Sequence, residues 1–284
     1  NKSKGSYYKF YNLRNMLQEF QDLTGYEITF QSINLYFYDK YLKYLTEVKN
    51  HSNNTAHRDV KFLKTFMNWA YERGITHNDI YKKFQPPKKQ EKDVLFLTRD
   101  ELNNFLNFEG FTSDALARVR DVFCFACFTG ARYSDVAKIS REQIKDGYWH
   151  ITTQKTGSVL KIPLGKDALA ILERYKNDRK PLPVISNQKM NENLKKALQE
   201  AGIDEEITDV RIKGSERTDT VKKKYEMIGT HTARRTFVTL SLEAGMKPET
   251  IMKITGHSEY AVMKKYLKVT DKLTALEYQK AWND

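Results

Sequence analysis

Up to Lys92 the apolar positions fall three and four residues apart, the spacing that gathers them on one side of a helix. Leu13, Met16, Leu17 and Phe20 share one such face. Leu35, Tyr36, Tyr38, Tyr41, Leu42 and Leu45 predict a second helix that ends in the loop His51-Ser52-Asn53-Asn54. A third is expected from Val60, Phe62, Leu63, Phe66, Met67, Trp69 and Ala70, closed by Gly74 where a left-handed residue belongs, and a short fourth follows. Pro86-Pro87-Lys88-Lys89-Gln90-Glu91-Lys92 is too rich in proline and charge to be core. It reads as a linker at about 85–92, dividing a helical domain, 1–92, from a second domain, 93–284.

Past the linker the pattern is mixed. Thr98-Arg99-Asp100-Glu101 opens a helix as a capping box, and the apolar run ending at Phe128 is a buried one. A short helix with Val136 and Ile139 follows Gly130. Trp149 to Thr153 and Val159 to Pro163 are β-rich runs around Lys155-Thr156-Gly157-Ser158, the pattern of a hairpin. Helices resume from Asp167 to Tyr175 and from Asn191 to Ala201, and the charged stretch from Asp204 to Ile228 has room for a second hairpin. Four helices are expected from His231 onward, broken at Gly245, at Gly256 and near Thr270, with Pro248 in a first turn. The fold class is therefore mainly α with a small β component.

Charge then narrows the partners. Forty-eight Lys and Arg against 36 Asp and Glu give a net charge of +12. The segment up to Lys92 has 16 basic and nine acidic residues, so a third of the chain carries +7 of that excess. Such a balance suits a polyanion, with nucleic acid the leading class, although a solvated basic surface has the same composition. No window approaches the roughly 20 apolar residues that span a membrane, and no signal peptide is expected. Cys124 and Cys127, the only cysteines, lie inside the apolar run from Val122 to Phe128 and read as core rather than as a redox pair or half a zinc site. Their scarcity suits a reducing cytoplasm.

Transfer of a phosphodiester without a metal requires cationic donors for the nonbridging oxygens, a nucleophile in line, and an acid for the leaving oxygen. Arg132 follows Thr129-Gly130-Ala131 at the mouth of a helix, and Arg234 lies one turn after His231. His257 follows Gly256 at a helix end, and Tyr266 lies in a helix that Ser258 can cap. Singly, each is an ordinary surface or core residue. In order, Thr129-Gly130-Ala131-Arg132 with Asp135, Lys155 at a hairpin tip, His231-Thr232-Ala233-Arg234, Gly256-His257 and Tyr266 resemble the tyrosine recombinases, or phage-type integrases. Within them the run His231 to Phe237 is most similar to integrases of Bacteroides-type conjugative transposons and mobile elements. Lys268 departs from the histidine that many relatives have two places after the nucleophile.

The resemblance covers the whole chain, with its motifs in the second domain. It implies an N-terminal helical SAM-like core-binding domain that clamps DNA, followed by a catalytic domain. Tyr266 would hold the broken strand as a 3′-phosphotyrosine, Arg132 and Arg234 would clamp the phosphate, and His257 would add a donor. His231 would manage the tyrosine proton, Lys155 would protonate the 5′ oxygen, and Asp135 would orient the site. The sequence has no P-loop and no metal-ligand spacing, so no metal, cofactor or ATP is expected. Expected partners are double-stranded DNA at specific recombination sites, further copies of the chain as a tetramer on synapsed DNA with a monomer off it, and an accessory DNA-bending protein. The location would be the bacterial cytoplasm, at the nucleoid. Asn1 is not a methionine, which leaves room for an upstream arm-binding domain. A last helix with Leu273, Ala275, Leu276, Tyr278 and Trp282 is expected to dock on a catalytic domain, its own or a neighbour's. The alternatives are DNA relaxation of the type IB topoisomerase kind, or a non-catalytic architectural DNA binder.

Overall fold

The computed structural model describes residues 4–91, 93–154 and 157–267, together with Tyr278 and Trp282. Chain contacts divide it into two units, residues 1–92 with 208–220, and 93–207 with 221–284.

The first unit is built on three long helices, α1 (Lys4–Thr24), α2 (Leu35–Lys43) and α3 (Asn53–Glu72). A π-helical turn (Tyr44–Val48) extends α2, and a 3-10 turn (Ile80–Lys83) stands where a short fourth helix was expected. The anticipated loop ends at Ser52, whose extended backbone opens α3 one residue later, so Asn53 and Asn54 are helical. Aromatic rings fill the core. Phe20 meets Phe37, Tyr41 and Tyr44 edge-on with centroids 5.5–5.6 Å apart, the arrangement ring quadrupoles favour. Segment 208–220 completes this unit. The Asn53 carboxamide donates to the Gly214 carbonyl (2.9 Å) and accepts from the Gly214 N–H (2.8 Å), while Arg211 donates to the Asn50 carbonyl.

The second unit opens with α4 (Arg99–Asn107), where both bonds of the expected capping box form between Thr98 and Glu101. The buried α5 (Asp114–Thr129) is central, packing against α7 (Lys166–Arg174), α8 (Asn187–Glu200) and α10 (Thr230–Glu243). Between α5 and α7 lie the one-turn α6 (Tyr133–Val136) and an antiparallel sheet of β1 (Ile144–Lys145), β2 (Tyr148–Thr152) and β3 (Val159–Pro163). β2 pairs with β3 from Tyr148↔Pro163 to Thr152↔Val159, which sends Trp149, Ile151, Leu160 and Ile162 into the core. The charged stretch does form a hairpin, of β4 (Glu206–Lys213) and β5 (Glu216–Lys223). The short α9 (Lys224–Met227) precedes α10, and α11 (Pro248–Thr255) and α12 (Tyr260–Leu267) follow it, with Pro248 in the first turn.

Three expectations shift. Helix α8 starts at Asn187 rather than Asn191, because Ser186 accepts the Lys189 N–H and caps it earlier. Helix α12 opens at Tyr260, a residue too late for Ser258 to be its cap. Helix α6 stops at Val136, short of Ile139. Cys124 and Cys127 are buried free thiols whose burial pushes both above their ordinary range, so they are core groups and poor nucleophiles.

Candidate active site

Helix α5 ends on Gly130, whose φ of 64° is a left-handed conformation that side chains disfavour. A Cβ there would also lie 2.4 Å from the Phe237 ring. The turn delivers Arg132 to the N-cap of α6, with its Nη1 buried and without a hydrogen-bond partner among the described residues. One turn on, the buried Asp135 accepts the backbone N–H of Gln154 at 3.0 Å. That N–H opens the β2–β3 turn, which closes through Gly157 N–H to Thr153 O (2.9 Å) with Gly157 left-handed. Lys155 and Thr156 lie outside the described residues.

The start of α10 is pinned to α8. Thr230 N–H donates to the Asn191 side chain (2.9 Å), and Gly229 approaches that same oxygen so closely that a Cβ would sit 2.9 Å from it. This fixes His231, exposed in the first turn, and Arg234, 2% exposed one turn later. Helix α11 closes on a second left-handed glycine, Gly256 (φ 68°), packed on Leu160, and the next residue is His257.

Arg234 joins the two glycine turns. Its Nη1 donates to the Gly130 carbonyl (3.0 Å) and its Nη2 to His257 Nε2 (2.9 Å). The other ring nitrogen, Nδ1, lies 2.8 Å from Thr255 Oγ1. A guanidinium only donates, so His257 Nε2 is an acceptor here and the ring is not free to donate from that atom. Burial first, then the nearby Arg234 and Arg132 charges and His231, push His257 down to about 4, so it is neutral at pH 7.

Tyr266 is 6% exposed, packed with Val238, Leu242, Ile251 and Met263. Burial raises its phenol above 10.0, and Arg235 and Arg234 offset this only in part. Arg234 falls to about 10, through burial first and repulsion from Arg132 second, eased by Tyr266 and Asp135. Arg132, Asp135 and Tyr266 thus lie within electrostatic reach of Arg234, and Arg132, His231 and Arg234 within reach of His257, although the six come from four separate stretches of chain. Thr255 and Arg235 are the members that sequence reasoning passed over. A threonine two places before a Gly-His pair was the available signal for the first, and the second arginine of the Arg234-Arg235 pair for the other.

Of the last helix, Tyr278 and Trp282 are helical and exposed, 62% and 76%, with rings 6.5 Å apart. Leu273, Ala275 and Leu276 lie outside the described residues, as does Lys268. No helix of the described residues is long and apolar enough to cross a membrane, and among them no group of three or more His, Cys, Asp or Glu is placed to hold a metal ion.

Comparison with known proteins gives the family. The sequence model of the Phage integrase family matches residues 95–272, and that of the Phage integrase SAM-like domain matches residues 1–86. Tyrosine recombinase XerC of Natranaerobius thermophilus is 22% identical over 273 residues, covering 92% of this chain and 90% of the relative. Tyrosine recombinase XerD of Listeria innocua is 22% identical over 220 residues, 77% and 73% of the two chains. Among solved structures, the Tn1549 transposon integrase in complex with transposon right end DNA superposes with a TM-score of 0.71 at 16% identity, covering 100% of this chain and 95% of that one. A lambda integrase dimer bound to a core site gives 0.68 at 16% identity, covering 94% and 89%.

Proposed function

The chain belongs to the phage integrase family, the tyrosine recombinases, which break and rejoin DNA at specific sites, and we propose that Tyr266 is its nucleophile. One observation supports this placement of the site most strongly. Two guanidiniums, Arg132 and Arg234, lie near each other with Asp135 beside Arg234; Arg234 is buried, and the Arg132 Nη1 is buried without a hydrogen-bond partner among the described residues. Like charges held together out of water are costly unless an anion joins them. A phosphodiester set beside Tyr266 is that anion. Relaxation and non-catalytic architecture are not favoured, since both named relatives are recombinases.

In the proposed reaction the Tyr266 oxygen attacks phosphorus, forming a P–O bond to the phenol and breaking the bond to the 5′ oxygen. The phenol is neutral at pH 7, so its proton must leave during attack, and His231 is the acceptor. Lys155 returns a proton to the departing 5′ oxygen. Arg132 and Arg234 neutralise charge growing on the nonbridging oxygens, and Asp135 holds the turn that carries Lys155. Attack by a second 5′ hydroxyl on the phosphotyrosine reverses these steps and joins new partners. The energy of the broken bond is conserved throughout.

The partner is double-stranded DNA at a recombination site, with residues 1–92 as the core-binding domain, a linker at about 85–92, and 93–284 as the catalytic domain. Four copies act on synapsed DNA in integration or excision of a mobile element, with an accessory bending protein assisting, at the bacterial nucleoid. A nicked, labelled attachment-site oligonucleotide tests the assignment. The unmodified chain should yield a covalent protein–DNA adduct, and Tyr266→Phe should bind the same DNA without forming one. An adduct on Tyr266→Phe would overturn it.

A further inference from the structure

Helix α10 begins without a cap of its own. Its N-cap residue is Gly229, which has no side chain to accept any of the N–H groups that a first turn leaves without partners inside the helix. Two asparagines one turn apart on α8 take over that task. Asn191 Nδ2 donates to the Asn187 carbonyl at 2.7 Å, an atom that can only accept, which leaves Asn191 Oδ1 to receive the Thr230 N–H at 2.9 Å. Thr230 Oγ1 in turn donates to Asn187 Oδ1 at 3.0 Å. Gly229 itself is extended (φ −142°, ψ 177°), a conformation open to any residue, so its backbone does not call for glycine. Space does, because a Cβ would stand 2.9 Å from Asn191 Oδ1.

We infer that Asn191 is a positioning residue that caps α10 from a neighbouring helix, with Gly229 as the gap that admits its carboxamide, and that this latch holds the first turn and His231 in place. His231 is exposed in that turn, the part of a helix that frays when its N–H groups lose their partners. Arg234 depends on the latch less, since it is buried one turn later and bonded to the Gly130 carbonyl at 3.0 Å. A carboxamide and a backbone N–H of the same chain close the latch, so the first turn is set before any ligand arrives.

The role of His231 as acceptor of the Tyr266 proton belongs to the proposed function, and the measurements keep the two apart. Hydrogen exchange of the Thr230 amide, followed in the whole chain at pH 7, should be slow, and fast in Asn191→Ala and in Gly229→Ala. On nicked DNA both variants should form the adduct about tenfold more slowly at pH 7, the effect of leaving one backbone N–H without its partner. The deficit should shrink by pH 9. Burial holds the Tyr266 phenol above its ordinary 10.0, and rising pH supplies ionised phenol that no longer needs His231. A merely weaker fold would keep the same deficit at both pH values. Asn191→Asp retains the acceptor oxygen and should restore both protection and rate. Adding Gly229→Ala to Asn191→Ala should cost nothing more, because the atom it would strike is gone.

An unprotected Thr230 amide in the unmodified chain overturns the inference, as does an equal deficit at pH 7 and pH 9, or additive losses in the double variant. If Asn191→Ala does not fold, Gly229→Ala carries the same measurements with Asn191 in place. Absence of any adduct from the unmodified chain sinks the role of His231, and exchange at Thr230 then decides the latch alone.

Discussion

The backbone N–H of Gln154 donates to the carboxylate of Asp135 at 3.0 Å, tying the turn between β2 and β3 to the one-turn helix that starts at Arg132. The residue after Gln154 is Lys155, the proposed acid, so one carboxylate links the two sides of the reaction. Asp135→Ala removes the acceptor and leaves a backbone N–H without a partner, a loss of roughly 1–3 kcal/mol. Adduct formation on nicked DNA should fall by about tenfold or more. Asp135→Asn retains an acceptor oxygen and should recover most of the rate, and equal rates for both variants would show that the bond does not matter.

The nucleophile and the acid are separable by chemistry. A 5′-bridging sulfur leaves as a stable thiolate and needs no proton. Lys155→Ala should cost on the order of 10² to 10⁴ in rate on ordinary DNA and almost nothing on the sulfur-substituted site. Tyr266→Phe should stay inert on both. Arg132→Ala should not be rescued, because charge on the nonbridging oxygens is unchanged. Rescue of Arg132→Ala to the same degree as Lys155→Ala would move the acid elsewhere.

Acid should weaken the fold through His257. Its folded value near 4 lies below the ordinary 6.5, so between these limits the unfolded chain binds a proton that the folded ring refuses. Stability from this group is present above about pH 6.5 and lost as pH falls towards 4. His257→Gln, which does not titrate there, should show a shallower drop in Tm over that window. Parallel melting curves for the two proteins from pH 7 to 4.5 would refute the contribution.

Gly130 carries two constraints at once, a left-handed backbone and the Phe237 ring where a Cβ would stand. The backbone alone costs an alanine roughly 1–2 kcal/mol. Gly130→Ala should lower Tm by at least about 2 °C, and because Arg234 bonds the Gly130 carbonyl, adduct formation should fall further than stability alone explains. Calorimetry alongside cleavage at a temperature where both proteins are folded reads the two effects apart.

Binding to duplex DNA should weaken steeply with salt. Each neutralised phosphate contributes about −0.9 to the slope of log K against log salt. With +7 of the net +12 up to Lys92, the intact chain should give a steep slope, and neither 1–92 nor 93–284 alone should match its affinity. A slope near zero in filter binding, or full affinity from one piece, would count against contacts from both.

Local signals were the legible ones. Thr98 and Glu101 cap α4 with atoms three residues apart, Pro248 opens α11, and Gly130 and Gly256 end their helices, all features that need only neighbours in sequence. The β2–β3 hairpin was equally plain, since alternation and a Gly157 turn coincide. What depended on distant chain was hidden. Asn187 and Asn191 read as polar helix surface, yet they receive Thr230 at the start of α10. Thr255 looks like one more β-branched residue in Ile251-Met252-Lys253-Ile254-Thr255, and only the placement of the His257 ring reveals its hydroxyl as that ring's hydrogen-bond partner. The order of the reactive residues was readable, but not which atom of His257 faces a guanidinium.

The pairing of Asn53 with Gly214 means that the boundaries of the folded units and the boundaries of the linear chain do not coincide. A gene fragment ending at Lys92 encodes Asn53 without the backbone that satisfies its carboxamide, and a peptide spanning 204–223 carries the missing half. Exchanging the first domain between relatives is therefore an exchange of two inserts rather than one. Chimeras spliced only at the linker would pair one protein's Asn53 with another's hairpin, and compatibility at that single side chain becomes a constraint on how such enzymes can be shuffled.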